Sequence, residues 1–177
     1  MESEGRGIIL AESEIILNWI HISEEKLQNN IPNESFPLSS LKKIPLASAV
    51  VQSYIKNPLL VDGFKFDLRL YVVVTSCDPL RVYLFKEGLV RICTEKFEIP
   101  NSGNLQNPFI HLTNYTVNKN NEKFETTIST YDSDGSTGNK RTLKWFLEWI
   151  ELQKGFNAKE KLLDDIVELV ALTLIGL

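Results

Sequence analysis

The run Phe64-Lys65-Phe66-Asp67-Leu68-Arg69-Leu70-Tyr71-Val72 constrains the chain more than any other feature. Apolar side chains stand at every second position, with polar ones between them. Successive side chains of a strand point to opposite faces. A period of two therefore predicts a strand, over residues 64–75, with one face in the core and Lys65, Asp67 and Arg69 on the other. The three charged groups stand ~7 Å apart on that face. Two cations around one carboxylate suit a triphosphate. Lysine acts as a point charge, arginine as a two-pronged fork, and the carboxylate orients them. The same pattern also describes a solvated face with cross-strand ion pairs. Alternation alone does not choose between the two.

Turn signals divide the surroundings. Ser76-Cys77-Asp78-Pro79 and Lys86-Glu87-Gly88 are turns that separate strands at Arg81 to Phe85 and Leu89 to Thr94, which predicts an antiparallel meander. Strands are also expected at 6–10, at Val50 to Ile55 and at Phe109 to Thr113, and a short helix over 13–20. Residues 28–45 hold Pro32, Pro37 and Pro45 and read as a loop insertion. Residues 117–141 read as a polar loop. Leu143, Phe146, Leu147 and Ile150 form one helical stripe; Leu162, Leu163, Ile166, Val167 and Val170 form a second, in a helix expected over 159–177.

Composition narrows the class. A chain of 177 residues, 43% hydrophobic and 24% charged, can bury one core. Net charge −4 argues against a global polyanion-binding surface, so no nucleic-acid partner is expected. No apolar run approaches the ~20 residues of a membrane span, so no membrane partner is expected. The start is acidic and lacks the regions of a signal peptide. Cys77 and Cys93 are too few for a disulfide framework, and a reducing cytoplasm is the expected setting.

Other polar groups admit two readings each. Gly5-Arg6-Gly7-Ile8 is either an ordinary turn or a loop whose N–H groups cover phosphates. Arg91 is either a surface arginine or a clamp on a carboxylate or phosphate. His111, in His111-Leu112-Thr113-Asn114-Tyr115, is either a hydrogen-bonded core residue or a catalyst. Asp132-Ser133-Asp134-Gly135 begins like a calcium loop, lacks its later ligands, and reads as a turn. No Cys/His set has zinc spacing.

In combination these motifs are more specific. Val51 to Ile55, Pro58 to Arg69, Thr75 to Arg81, Glu87 to Arg91, and His111 to Tyr115 followed by Asn118-Lys119 closely resemble the core of tubulin tyrosine ligase-like enzymes. The Gly-Ser-Thr-Gly-Asn-Lys-Arg run ending at Arg141 is similar to the family's basic loop before a helix. The resemblance covers roughly residues 3–9 and 49–177, and its Ser-Cys-Asp-Pro-Leu and Thr-Asn-Tyr versions look most like the glutamylating branch.

The resemblance implies an α+β, ATP-grasp fold, present here in part over residues 1–177. It implies ATP as cofactor and activation of a carboxylate as an acyl phosphate, which an amine then attacks. Glutamate would thereby be added to the C-terminal tail of alpha- or beta-tubulin on microtubules. The expected setting is the cytoplasm and cytoskeleton, including the cilium or basal body. Arg6 and Gly7 would belong to the loop over the phosphates. Gln52, Ser53, Tyr54 and Ile55 would form the hinge beside adenine, through backbone groups. Lys65, Phe66, Asp67, Thr113 and Asn114 would contact the nucleotide, and Arg69 would face the same cleft. Arg91 would hold the carboxylate of free glutamate, with Tyr115 and Lys140 nearby. The family's upstream Lys-Pro pair is absent, and its Mg2+ ligands, an Asp and a Glu-x-Asn, are expected beyond Leu177. The alternative expectation is a truncated, non-catalytic nucleotide- or tubulin-binding protein.

Overall fold

The computed structural model describes Ile8, residues 10–12, 50–125 and 135–175. The expected elements at 13–20 and 28–45, and Arg6 and Gly7, lie outside the described residues. Ile8 and Leu10 are not in a strand.

A four-stranded antiparallel sheet forms the centre, in the order β1-β2-β5-β6. Strand β1 is Leu60–Val61, β2 is Phe64–Arg69, β5 is Leu89–Lys96 and β6 is Lys140–Thr142. The hairpin between β1 and β2 turns on Asp62 (φ 53°) and Gly63 (φ 85°). Two consecutive positive φ angles are what a type I′ turn needs, and Asp-Gly supplies them cheaply. Among the described residues, strands β3 (Val72–Cys77) and β4 (Leu80–Leu84) pair only with each other.

The expected meander is thus corrected. The predicted strand over 64–75 is two strands in two sheets, broken at Leu70-Tyr71. Alternation continues through the break, so the pattern does not record the change of partner. The return of β5 to β2 depends on Gly88. A Cβ there would sit 2.8 Å from the Arg69 carbonyl oxygen. Only glycine lets the chain approach that closely and pair Leu89 with Arg69.

Two further expectations change. Residues 50–55 pair with none of the described strands. The segment expected as a strand at 109–113 begins as a helical turn, α1 (Pro108–His111). Asn107 Oδ1 accepts from Phe109 N, and Pro108 occupies the first turn. An Asn cap followed by proline is a helix-start signal that outweighed the β-branched residues. A second turn, α2 (Tyr115–Asn118), follows inside the expected loop.

One sheet face is apolar. Phe66, Leu68, Val90 and Ile92 pack with Leu143, Phe146 and Ile150 of α3 (Leu143–Lys154). Phe146 is 1% exposed and lies 5.0 Å from Phe66 between ring centroids. Thr142 caps α3, its hydroxyl accepting from Trp145 N. Gly155 (φ 88°) ends it, and α4 (Phe156–Ile175) folds back with Ala158 and Leu162 against the core. The helix anticipated from 159 starts three residues earlier. The whole is α+β, and the opposite sheet face is free to carry polar chemistry.

Candidate functional site

The pleat of β2 places Lys65, Asp67 and Arg69 on the face away from α3. Pairing then aligns residues from three strands. Asp67 stands opposite Arg91 of β5, and Arg91 stands opposite Lys140 of β6. Directly opposed residues point to the same side, so the sheet builds a row of anion, cation and cation.

The first two lock together. Arg91 Nε donates to Asp67 Oδ1 at 2.9 Å, and Nη2 donates to Oδ2 at 2.5 Å. The hydrogen bond to Asp67 raises the Arg91 pKa against the opposing effect of burial. Arg69 and Lys140 are exposed.

Lys65 sits where the β2–β5 register slips, between Phe64↔Lys96 and Phe66↔Ile92. A bulge re-aims side chains. Cys93, in the irregular stretch of β5, is fully buried, and burial pushes its thiol to about 12, with Lys65 pulling the other way. Lys65 Nζ donates to the His111 carbonyl at 2.9 Å and to Tyr54 Oη at 3.2 Å. Burial lowers its pKa, while Asp67 pulls the other way. Burial also lifts the Tyr54 hydroxyl to about 12 and depresses His111.

Beside this face opens a cleft of about 360 Å3, lined among others by Arg69, Tyr71, Arg91, Thr113, Tyr115 and Lys140. Its far wall is the α1–α2 segment. Asn118, 1% exposed, fastens that wall to β5. Its Oδ1 accepts from Thr94 N and Oγ1, and its Nδ2 donates to the carbonyls of Leu112 and Asn114. Asn139 clamps the segment before β6 in the same way, donating to Ile92 O and Cys93 O.

Five residues singled out from sequence therefore line one cleft: Arg69, Arg91, Thr113, Tyr115 and Lys140. Asp67 is bonded to Arg91 of that lining, Lys65 shares its sheet face, and Tyr54 is hydrogen-bonded to Lys65. Asn114 is half-buried at the N-terminal cap position of α2. Gln52, Ser53 and Ile55 are exposed. Phe66 points into the core against Phe146, so a ligand contact from this residue has to use its backbone. Asn118 and Asn139 enter the sequence reading only within family motifs, without a role, and Asn104 does not enter it. Asparagine is common in loops, and its role here depends on partners up to 47 residues away.

Among the described residues, no group of three His, Cys, Asp or Glu side chains could hold a metal ion. No described helix is long and apolar enough to cross a membrane.

Residues 2–173 match the family model of the tubulin-tyrosine ligase family. The chain belongs to that family. It is 50% identical over 126 residues to tubulin polyglutamylase TTLL7 of Homo sapiens, covering 71% of this chain and 13% of that protein. It is 44% identical over 127 residues to tubulin polyglutamylase TTLL13 of Homo sapiens, covering 72% of this chain and 14% of that protein. To tubulin polyglutamylase TTLL6 of Homo sapiens it is 40% identical over 142 residues, 80% of this chain and 15% of that protein. The chain thus spans less than a fifth of the length of these relatives.

Proposed function

We propose that the chain is part of an ATP-dependent ligase that adds glutamate to tubulin tails. The observation that carries this reading is the row Asp67–Arg91–Lys140 beside Lys65 and Arg69, facing Thr113 and Tyr115 across one cleft. Family membership and likeness to named polyglutamylases support the choice of reaction. The α+β core is compatible with part of an ATP-grasp fold over residues 1–177, with residues 28–45 as a loop insertion.

The donor set fits a nucleotide. A triphosphate carries about four negative charges; Arg69 and Lys140 supply cations in the cleft, and Lys65 supplies one on the same sheet face. ATP would supply the phosphoryl group that activates a carboxylate for attack by an amine. Lys65 would donate to phosphate oxygens, with Asp67, Thr113 and Asn114 completing the contacts and Phe66 adding backbone. Gln52 to Ile55 would border the adenine, and Arg6 and Gly7 would cover the phosphates. Arg69 would face the reacting groups. Arg91, with Tyr115 and Lys140, would hold free glutamate by its carboxylates. Asp67 keeps the Nε edge of the Arg91 guanidinium engaged, so the glutamate would meet the remaining Nη1 edge. No described residue set is assigned to Mg2+, whose ligands are expected from other parts of the family region.

The proposed partners are alpha- or beta-tubulin tails on microtubules, in the cytoplasm or at a cilium or basal body. The test is transfer of radiolabelled glutamate to microtubules by a polypeptide carrying this chain within the whole family region. Transfer that requires ATP supports the reading. ATP binding without transfer favours a non-catalytic nucleotide-binding protein, and transfer to small molecules without tubulin points to a different ligase.

A further inference from the structure

A side chain and a backbone carbonyl from two segments meet at Lys65. Its Nζ donates to His111 O and Tyr54 Oη, and it lies 4.3 Å from the Tyr54 ring centroid. Tyr54 Oη is 3.0 Å from His111 Nδ1, and His111 Nε2 is 3.3 Å from Asn104 Oδ1. The direction of every bond follows from the far end. Asn104 Oδ1 accepts from Asn101 N at 2.9 Å, and Asn104 Nδ2 donates to Ile99 O at 3.0 Å. Backbone partners thereby fix which way the amide faces. An oxygen facing His111 requires the hydrogen on Nε2. Nδ1 is then an acceptor, the Tyr54 hydroxyl hydrogen points at it, and the Tyr54 oxygen keeps its lone pairs for Lys65. Burial favours the neutral imidazole and the protonated phenol that this chain needs. The edge-on ring of Phe97 braces the imidazole from another side.

An ammonium has three hydrogens. Among the described residues, Tyr54 and the His111 carbonyl hold two, and the third is open to a ligand. Among the described residues Lys65 forms no ion pair within 4.0 Å, and its two hydrogen bonds go to neutral groups.

We propose that Tyr54 and His111 are positioning residues for Lys65, with the Tyr54 hydroxyl and the imidazole aiming the ammonium at the phosphate oxygens of a nucleoside triphosphate. This rests on the nucleotide reading above and goes beyond it. There the hinge segment contributes backbone alone, and His111 has no part.

The experiment varies ATP at saturating glutamate and microtubules, using a polypeptide that spans the family region. Tyr54→Phe keeps the ring and the backbone and removes only the hydroxyl. The ATP KM should rise about fivefold, as for one ordinary hydrogen bond lost, with kcat within about twofold. Calorimetric ATP affinity in a Lys65→Ala background should show no further loss on adding Tyr54→Phe. His111→Gln retains an acceptor for the hydroxyl and should raise the KM less than His111→Leu. Equal ATP KM values in wild type and Tyr54→Phe overturn the proposal, as does an additive loss on top of Lys65→Ala. If Tyr54→Phe does not fold, the two His111 variants decide, and equal KM values overturn it. Wild-type protein that ignores ATP refutes the nucleotide reading and this proposal together, which distinguishes that failure from the first.

Discussion

Arg91 and Asp67 meet across β5 and β2 through a fork that a lysine cannot reproduce. Planar guanidinium matches carboxylate at two points, whereas an ammonium offers a single point charge. With side-chain exposures of 21% and 34%, the pair is partly screened. Arg91→Lys should therefore cost only about 1 kcal/mol of stability by urea denaturation. Its effect on function should be larger: a glutamate KM raised about tenfold, with the ATP KM nearly unchanged, in steady-state assays. Equal effects on both substrates would separate Arg91 from the glutamate. His111 gives a pH prediction. Burial, assisted by Lys65, holds its pKa below 6.5 in the folded chain. In the unfolded chain the imidazole titrates near the ordinary value and binds more protons in that window. The contribution to stability is then present above about pH 6.5 and lost as pH falls toward the folded-state pKa. Urea midpoints should drop between about pH 7.5 and about pH 5, and less so in His111→Gln. Parallel pH curves for the two proteins would contradict this.

The elements themselves were unevenly legible. β2 announces itself, because Phe64, Phe66 and Leu68 alternate with Lys65, Asp67 and Arg69. α3 is equally plain, because Phe146 and Ile150 stand four apart and both are buried. The end of β2 is not written in the alternation at all. It depends on where β5 returns, and that depends on one glycine 19 residues beyond Arg69. Of the site, the charged residues could be found, because charge at strand spacing is visible locally. The fastening role of Asn118 and Asn139 could not, because their partners are set by the fold. Gly88→Ala tests the first point. Its methyl group would press on the Arg69 carbonyl and on Leu143, and the expected loss is ~1–3 kcal/mol with a displaced Arg69. Asn118→Ala tests the second. It strips partners from Thr94, Leu112 and Asn114 at a buried position, and should cost ~2–3 kcal/mol in thermal or urea unfolding. A neutral result for Asn118→Ala would mean that water replaces the amide.

Across the whole molecule the sheet divides two duties. One face is closed by Phe146, Ile150 and their neighbours; the other collects Lys65, Asp67, Arg69, Arg91 and Lys140. This separation lets charges be changed on one side without opening the core on the other. The central claim is that the polar face is a single site serving nucleotide and glutamate together. The most direct measurement is ATP-dependent transfer of labelled glutamate to microtubules by the full family region, comparing wild type, Arg69→Ala and the off-site control Lys86→Ala at matched melting temperature. The account predicts a loss of at least about a hundredfold for Arg69→Ala, as when a positioned charge beside reacting groups is removed, and near wild-type rates for Lys86→Ala. Equal transfer by Arg69→Ala and wild type would contradict it.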